Sequence, residues 1–156
     1  METLSIPLTT TNFTLFSSYA SQPTHTVLRF RHIGDGTTNR IRLDDVFVDE
    51  AYAVRRTQNF ETWTNYLGAP VGTYSIAEWT IQNAQIGGKG AASSGAAELY
   101  PTSGFVQSPT FDGGVGTVNF WMSNLTNDLG EVIATLLTST NDWATWTTNG
   151  TVRIAA

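Results

Sequence analysis

Between Leu28 and Val48 the chain reads LRFRHIGDGTTNRIRLDDVFV, two runs of alternating apolar and polar residues around a glycine-containing turn. Alternation is the period of a β-strand, whose successive side chains point to opposite faces, and it cannot line up as one stripe on a helix. Pairing Phe30 with Ile41 sets Leu28 opposite Leu43, Arg29 opposite Arg42 and Arg31 opposite Arg40. One face of such a hairpin presents Leu28, Phe30, Ile41 and Leu43, a core face, and the other presents four arginines. Gly34 and Gly36 supply the positive φ that a short connection needs.

The rest of the chain has the same texture. Short runs alternate with Gly, Asn, Asp, Ser and Pro clusters, and strands are expected at Thr3–Leu8, Asn12–Ser17, Thr26–His32, Arg40–Val48, Glu78–Ile81, Ala96–Tyr100, Gly104–Ser108, Gly116–Met122, Glu131–Thr138 and Gly150–Ala155. Asp112-Gly113-Gly114 reads as a tight turn and Gly87–Gly95 as loop. Charged residues make up only 13% of the chain and hydrophobic ones 40%. Neutral polar surfaces and aromatics suit strands better than helices. The 156 residues form one domain with a substantial core.

A net charge of -5 argues against nucleic acid, whose binders need a basic stripe. No apolar run approaches the ~20 residues that span a bilayer, so no membrane insertion is expected. Cysteine is absent, which removes disulfides and thiolate metal sites. The opening METLSIPLTTT lacks a basic segment followed by an apolar core, so no signal peptide is expected there. The composition nonetheless reads as that of an extracellular or cell-surface protein.

Three segments carry a family resemblance: Asn59-Phe60-Glu61, Ser103–Met122 (SGFVQSPTFDGGVGTVNFWM) and Ile41–Val48 (IRLDDVFV). They resemble, in turn, the opening strand, the central passage and the closing strand of bacterial extracellular jelly-roll modules. That family includes carbohydrate-binding modules and MAM-like adhesin domains. The resemblance implies an all-β jelly-roll β-sandwich of two antiparallel sheets. Its strand order is permuted here, because the closing strand precedes the opening one. Residues 1–50 are then closing strands, 51–58 a linker, and 59–156 the opening and central strands. The chain either closes on itself or exchanges its first third with a neighbouring copy.

In the resembling modules a structural calcium ties the opening Glu to the closing Asp, which implies Glu61 and Asp44, with Asp45 as the alternative. Calcium takes 6–8 oxygen ligands, so backbone carbonyls are needed as well. In the hairpin register Asp44 falls on the arginine face and Asp45 on the core face, and placing both requires a local bulge. Otherwise these acids simply neutralise Arg42, Arg29 or Arg55.

The quartet Arg29, Arg31, Arg40 and Arg42 repels itself unless anions lie between its members. Intramolecular acids satisfy it. A groove for an acidic glycan does so too, because guanidinium binds carboxylate and sulfate bidentately. Tyr66, Tyr74 and Trp143 are the candidate sugar-stacking aromatics, while Trp79 and Trp121 fall in strand patterns and read as core. His25 and His32 read as polar residues flanking a strand.

No nucleophile elbow, catalytic cysteine, zinc-binding helix or recognisable carboxylate pair is present, so no enzyme is expected. The expected function is a non-catalytic module that binds a polysaccharide or glycan, neutral or acidic, or that mediates adhesion. The alternative is a structural repeat of a surface array that self-associates by strand exchange.

Overall fold

Alternation builds a single curved wall. The computed structural model describes residues 3–6, 13–22, 24–33, 40–50, 55–87, 95–124 and 132–154, nearly all in strands. In chain order these are β1 (Thr3–Ile6), β2 (Thr14–Gln22), β3 (Thr26–His32), β4 (Ile41–Glu50), β5 (Arg55–Gln58), β6 (Gly72–Ile76), β7 (Trp79–Gly87), β8 (Ala96–Leu99), β9 (Phe105–Phe111), β10 (Val115–Asn124), β11 (Val132–Ser139) and β12 (Thr147–Ile154). One short 3-10 helix spans Glu61–Tyr66.

The ladders form one continuous path, β1-β12-β11-β3-β9-β7-β8-β4-β10-β2, with β5 added to β4 and β6 to β7. Every pairing of named strands among the described residues is antiparallel except β1 with β12. The path curls until its ends approach. A methyl group on Gly150 of β12 would lie 3.4 Å from the Ser18 hydroxyl of β2. The result is a nearly closed, barrel-like antiparallel sheet.

Its interior is filled. Leu28, Phe30, Ile41 and Leu43 are all buried, as the alternation requires, with Phe16, Ile81, Val106, Val118 and Phe120 among their companions. Phe30 meets the Phe120 ring edge-on at 5.0 Å, joining β3 to β10 across the barrel.

The expected hairpin does not exist. β3 pairs with β9 and β11, whereas β4 pairs with β10, β8 and β5. Alternation fixed the inward faces of both strands but said nothing about partners. The connecting Gly34 and Gly36 lie outside the described residues. Two strands went unanticipated: β5, inside the expected linker, and β6, where no strand is expected from the sequence. The anticipated opening strand near Asn59 is instead the 3-10 helix, which buries Trp63.

The Leu43-Asp44-Asp45-Val46 segment carries a β-bulge. Ile41 and Leu43 point inward, as do Val46 and Val48, so the phase slips by one residue at the two aspartates. Opposite them, Asn119 and Trp121 of β10 pair with Phe47 and Asp44, two steps against three. Asp45 absorbs the extra residue with φ 45°, a left-handed backbone that Asp and Asn tolerate better than most.

Candidate functional site

The four arginines divide into two groups. On β3, Arg29 donates through Nε and Nη2 to the Gln107 side-chain oxygen. Its guanidinium lies between the rings of Phe105 and Trp146, at 4.2 and 4.0 Å from their centroids. Burial, and secondarily neighbouring Arg31, lower its pKa. Arg31 is exposed.

The second group gathers on Glu98 of β8, a carboxylate buried in the wall. Arg42 Nε lies 3.0 Å from Glu98 Oε1, Arg40 Nη1 lies 3.6 Å from Oε2, and Gln85 donates to Oε2 at 2.7 Å. Gln85, Glu98 and Arg42 are direct cross-strand partners on β7, β8 and β4. Three of the four arginines are thus held by the protein's own groups, and no single arginine face exists.

Tyr66 and Tyr74 do come together, but against each other. Their centroids are 4.6 Å apart with rings tilted by 36°, at the end of an aromatic row through Phe60 and Trp63. Tyr74 donates its hydroxyl to the Pro70 carbonyl. Both rings pack on the core and are half-buried, so they seal the barrel more than they offer a platform.

Of the implied calcium ligands, Asp44 is fully buried and Asp45 half-buried, with the Asp45 carboxyl pKa raised by burial. Among the described residues no three His, Asp or Glu side chains gather to hold a metal.

Trp143 is the sequence-nominated residue that sits in a site. It is 54% exposed in the loop between β11 and β12. It lines an open groove of about 440 Å³ together with Glu78, Thr80, Gln107, Thr110 and Asp112. The loop that presents it is tightly wired. Ser139 Oγ accepts from Trp143 N–H at 3.0 Å and donates to Asn141 Oδ1, which also accepts from Thr145 N–H at 2.9 Å.

Backbone strain collects around this groove. Nine non-glycine residues among those described have positive φ, and four of them belong here: His25 (31°), Glu78 (68°), Asp142 (52°) and Trp143 (72°). Such conformations cost of order 1–3 kcal/mol each and persist where surrounding structure over-determines them. The over-determination is visible at His25, which bridges two loops. Its Nδ1 lies 3.1 Å from Asp112 Oδ1 and its Nε2 2.8 Å from Asp142 Oδ1. Those two carboxylates, Asp142 foremost, raise the pKa of this exposed imidazole.

Sequence reasoning missed His25, Glu78, Asp112 and Asp142 as members of one site. They lie in the turns entering β3 and β7 and leaving β9 and β11, which converge only because neighbours in the barrel order β11-β3-β9-β7 run alternately. No local signal announces that. No protein-family model, curated protein or solved structure matches the chain.

Proposed function

We propose that the protein is a non-catalytic carbohydrate-binding module of extracellular or cell-surface type, with its glycan site in the Trp143 groove. The observation that carries this reading is the concentration of left-handed residues around an exposed, rigidly wired tryptophan beside polar side chains. An indole face stacks on the C–H surface of a sugar ring, and hydroxyl and carboxylate groups beside it take the sugar hydroxyls. Holding the loop in advance removes the ordering cost from binding. Because three of the four arginines are engaged within the protein, and Glu78 and Asp112 line the groove, the ligand of this reading is a neutral polysaccharide.

The reading carries with it a jelly-roll sandwich in permuted order. Two adjacencies support that order. β4 lies beside β5, the strand leading into Phe60, and β1 lies beside the end of β12.

Binding to arrayed neutral and acidic polysaccharides tests the site. A neutral glycan should bind, and Trp143→Ala should weaken it about 30-fold, a hot-spot loss of ~2 kcal/mol, with no change in melting temperature. Tyr74→Phe should bind as the native protein does. A blank array, or Trp143→Ala binding undiminished, overturns the proposal. Adding EDTA in parallel tests the calcium expectation: a lowered melting temperature would support a metal bridge at Asp44 and Glu61, and an unchanged one would count against it.

A further inference from the structure

Leaving β1 aside, the described strands along the barrel path form a ring of nine: β12, β11, β3, β9, β7, β8, β4, β10 and β2. Antiparallel neighbours alternate in direction, so in an odd-numbered ring the first and last strands run the same way. β12 and β2 therefore cannot close as the other ladders do. At this seam β1 is laid parallel to β12, with Thr3 opposite Thr151 and Ile6 opposite Ile154.

The seam is incompletely sealed. A cavity of about 280 Å³ opens there onto Phe16, Phe120, Leu136 and Val152, and Tyr19 of β2 is 74% exposed on its rim. The seat of β1 is a single ladder of four residues. Strands are usually joined in parallel by a crossover of a dozen residues or more, whereas only residues 7–13 separate Ile6 from Thr14.

The reach is tight. Gly150 stands beside Ser18. Ile6, level with Ile154, lies four rises beyond that point along the barrel, and Thr14 four rises before it. The two ends are thus roughly 26 Å apart along the strands, against a greatest possible reach of about 29 Å for eight residues.

We propose that the Thr151–Ile154 edge of β12 is an exchange site filled by β1 of a second copy of this chain, giving association by reciprocal strand swap. The occupant is specified by the seat, whose register already accepts Thr3–Ile6. A partner's β1 makes the same backbone hydrogen bonds, and its connection to its own β2 then runs between the two barrels instead of doubling back along one. Short connections at the limit of their reach favour such swapping.

The native chain contains no cysteine, so introduced thiols report without background. Ser5→Cys and Arg153→Cys, residues opposite each other in the β1–β12 ladder, are placed on separate chains, mixed at high concentration, refolded together and oxidised. A disulfide heterodimer should dominate over both homodimers. In the Ser5→Cys/Arg153→Cys double variant, the cross-linked species should shift from monomer towards dimer as concentration rises during folding. A second pair, Thr3→Cys with Thr151→Cys, repeats the test at the other end of the ladder if either first variant fails to show native near-UV circular dichroism. Random pairing in the mixture, or a double variant that locks as monomer at every concentration, overturns the proposal.

Discussion

Asp45 sits at φ 45° because β4 must change phase between Leu43 and Val46 while keeping both inside. A left-handed backbone costs an ordinary side chain roughly 1–2 kcal/mol, and a β-branched one most. Asp45→Gly should therefore raise the urea midpoint slightly, and Asp45→Val should cost about 1–2 kcal/mol. A valine variant as stable as the native protein would disprove the bulge. The doublet was legible as a break in register, since alternation places one acid inward wherever both are kept in a regular strand.

Glu98 makes the companion argument. Its removal leaves Arg42, only 12% exposed at the side chain, without its carboxylate, and breaking a buried pair costs about 3–5 kcal/mol. Glu98→Ala should lower stability on that scale in urea titration. Gly87→Ala should do part of the same damage, because a methyl there overlaps the Glu98 carboxylate. Nothing in Ala96-Ala97-Glu98-Leu99 identifies that glutamate as buried. Its partners come from β4 and β7, which no local pattern links.

Among the elements, strand positions were far more legible than strand partners. Each strand expected from alternation falls on an observed one, because period-two alternation is a local property of the pleat, whereas the opening strand that the resemblance implied at Asn59 is a 3-10 helix. Partners depend on closing long loops, and so the Leu28–Leu43 hairpin was read where β11 and β9 in fact flank β3. β5 was missed because Arg55, Arg56 and Thr57 are all exposed and show no alternation. The binding site is also an element-scale property, since four turns make it and His25 ties two of them. Both carboxylates favour the protonated imidazole, so the tie is complete below the ordinary histidine pKa of 6.5 and is lost as pH rises through the raised value. Titration of the His25 ring by NMR should give a midpoint above 6.5. Glycan affinity should fall through the same range and become flat in His25→Ala. A midpoint at or below 6.5, or an unaltered pH profile in the variant, would dissociate the histidine from the groove.

For the molecule as a whole, the question is whether the order of the strands along the chain matters once the barrel has formed. The end of β12 and the start of β1 are close: Thr3 is level with Thr151, three rises from Ile154, which is about 10 Å along the strands and ~4.8 Å across. About eight added glycine and serine residues, together with residues 155–156 and 1–2, give the dozen that joining a parallel pair needs. Residues 51–54 connect β4 to β5, whose ladder of Val46–Asp49 with Arg55–Gln58 lies on the edge of the path rather than within it. Opening the chain there and joining its old ends should therefore keep every ladder of the ring. Such a permutant should unfold in one transition with native near-UV circular dichroism. Tying β1 to β12 in one continuous stretch also ought to hold β1 in its own seat, so the permutant should stay monomeric at concentrations where the native chain exchanges. A permutant that fails to fold would show that the β4–β5 connection, and with it the native strand order, is needed to assemble the barrel. One that folds yet still swaps would separate the order of the strands from the seam that admits a partner.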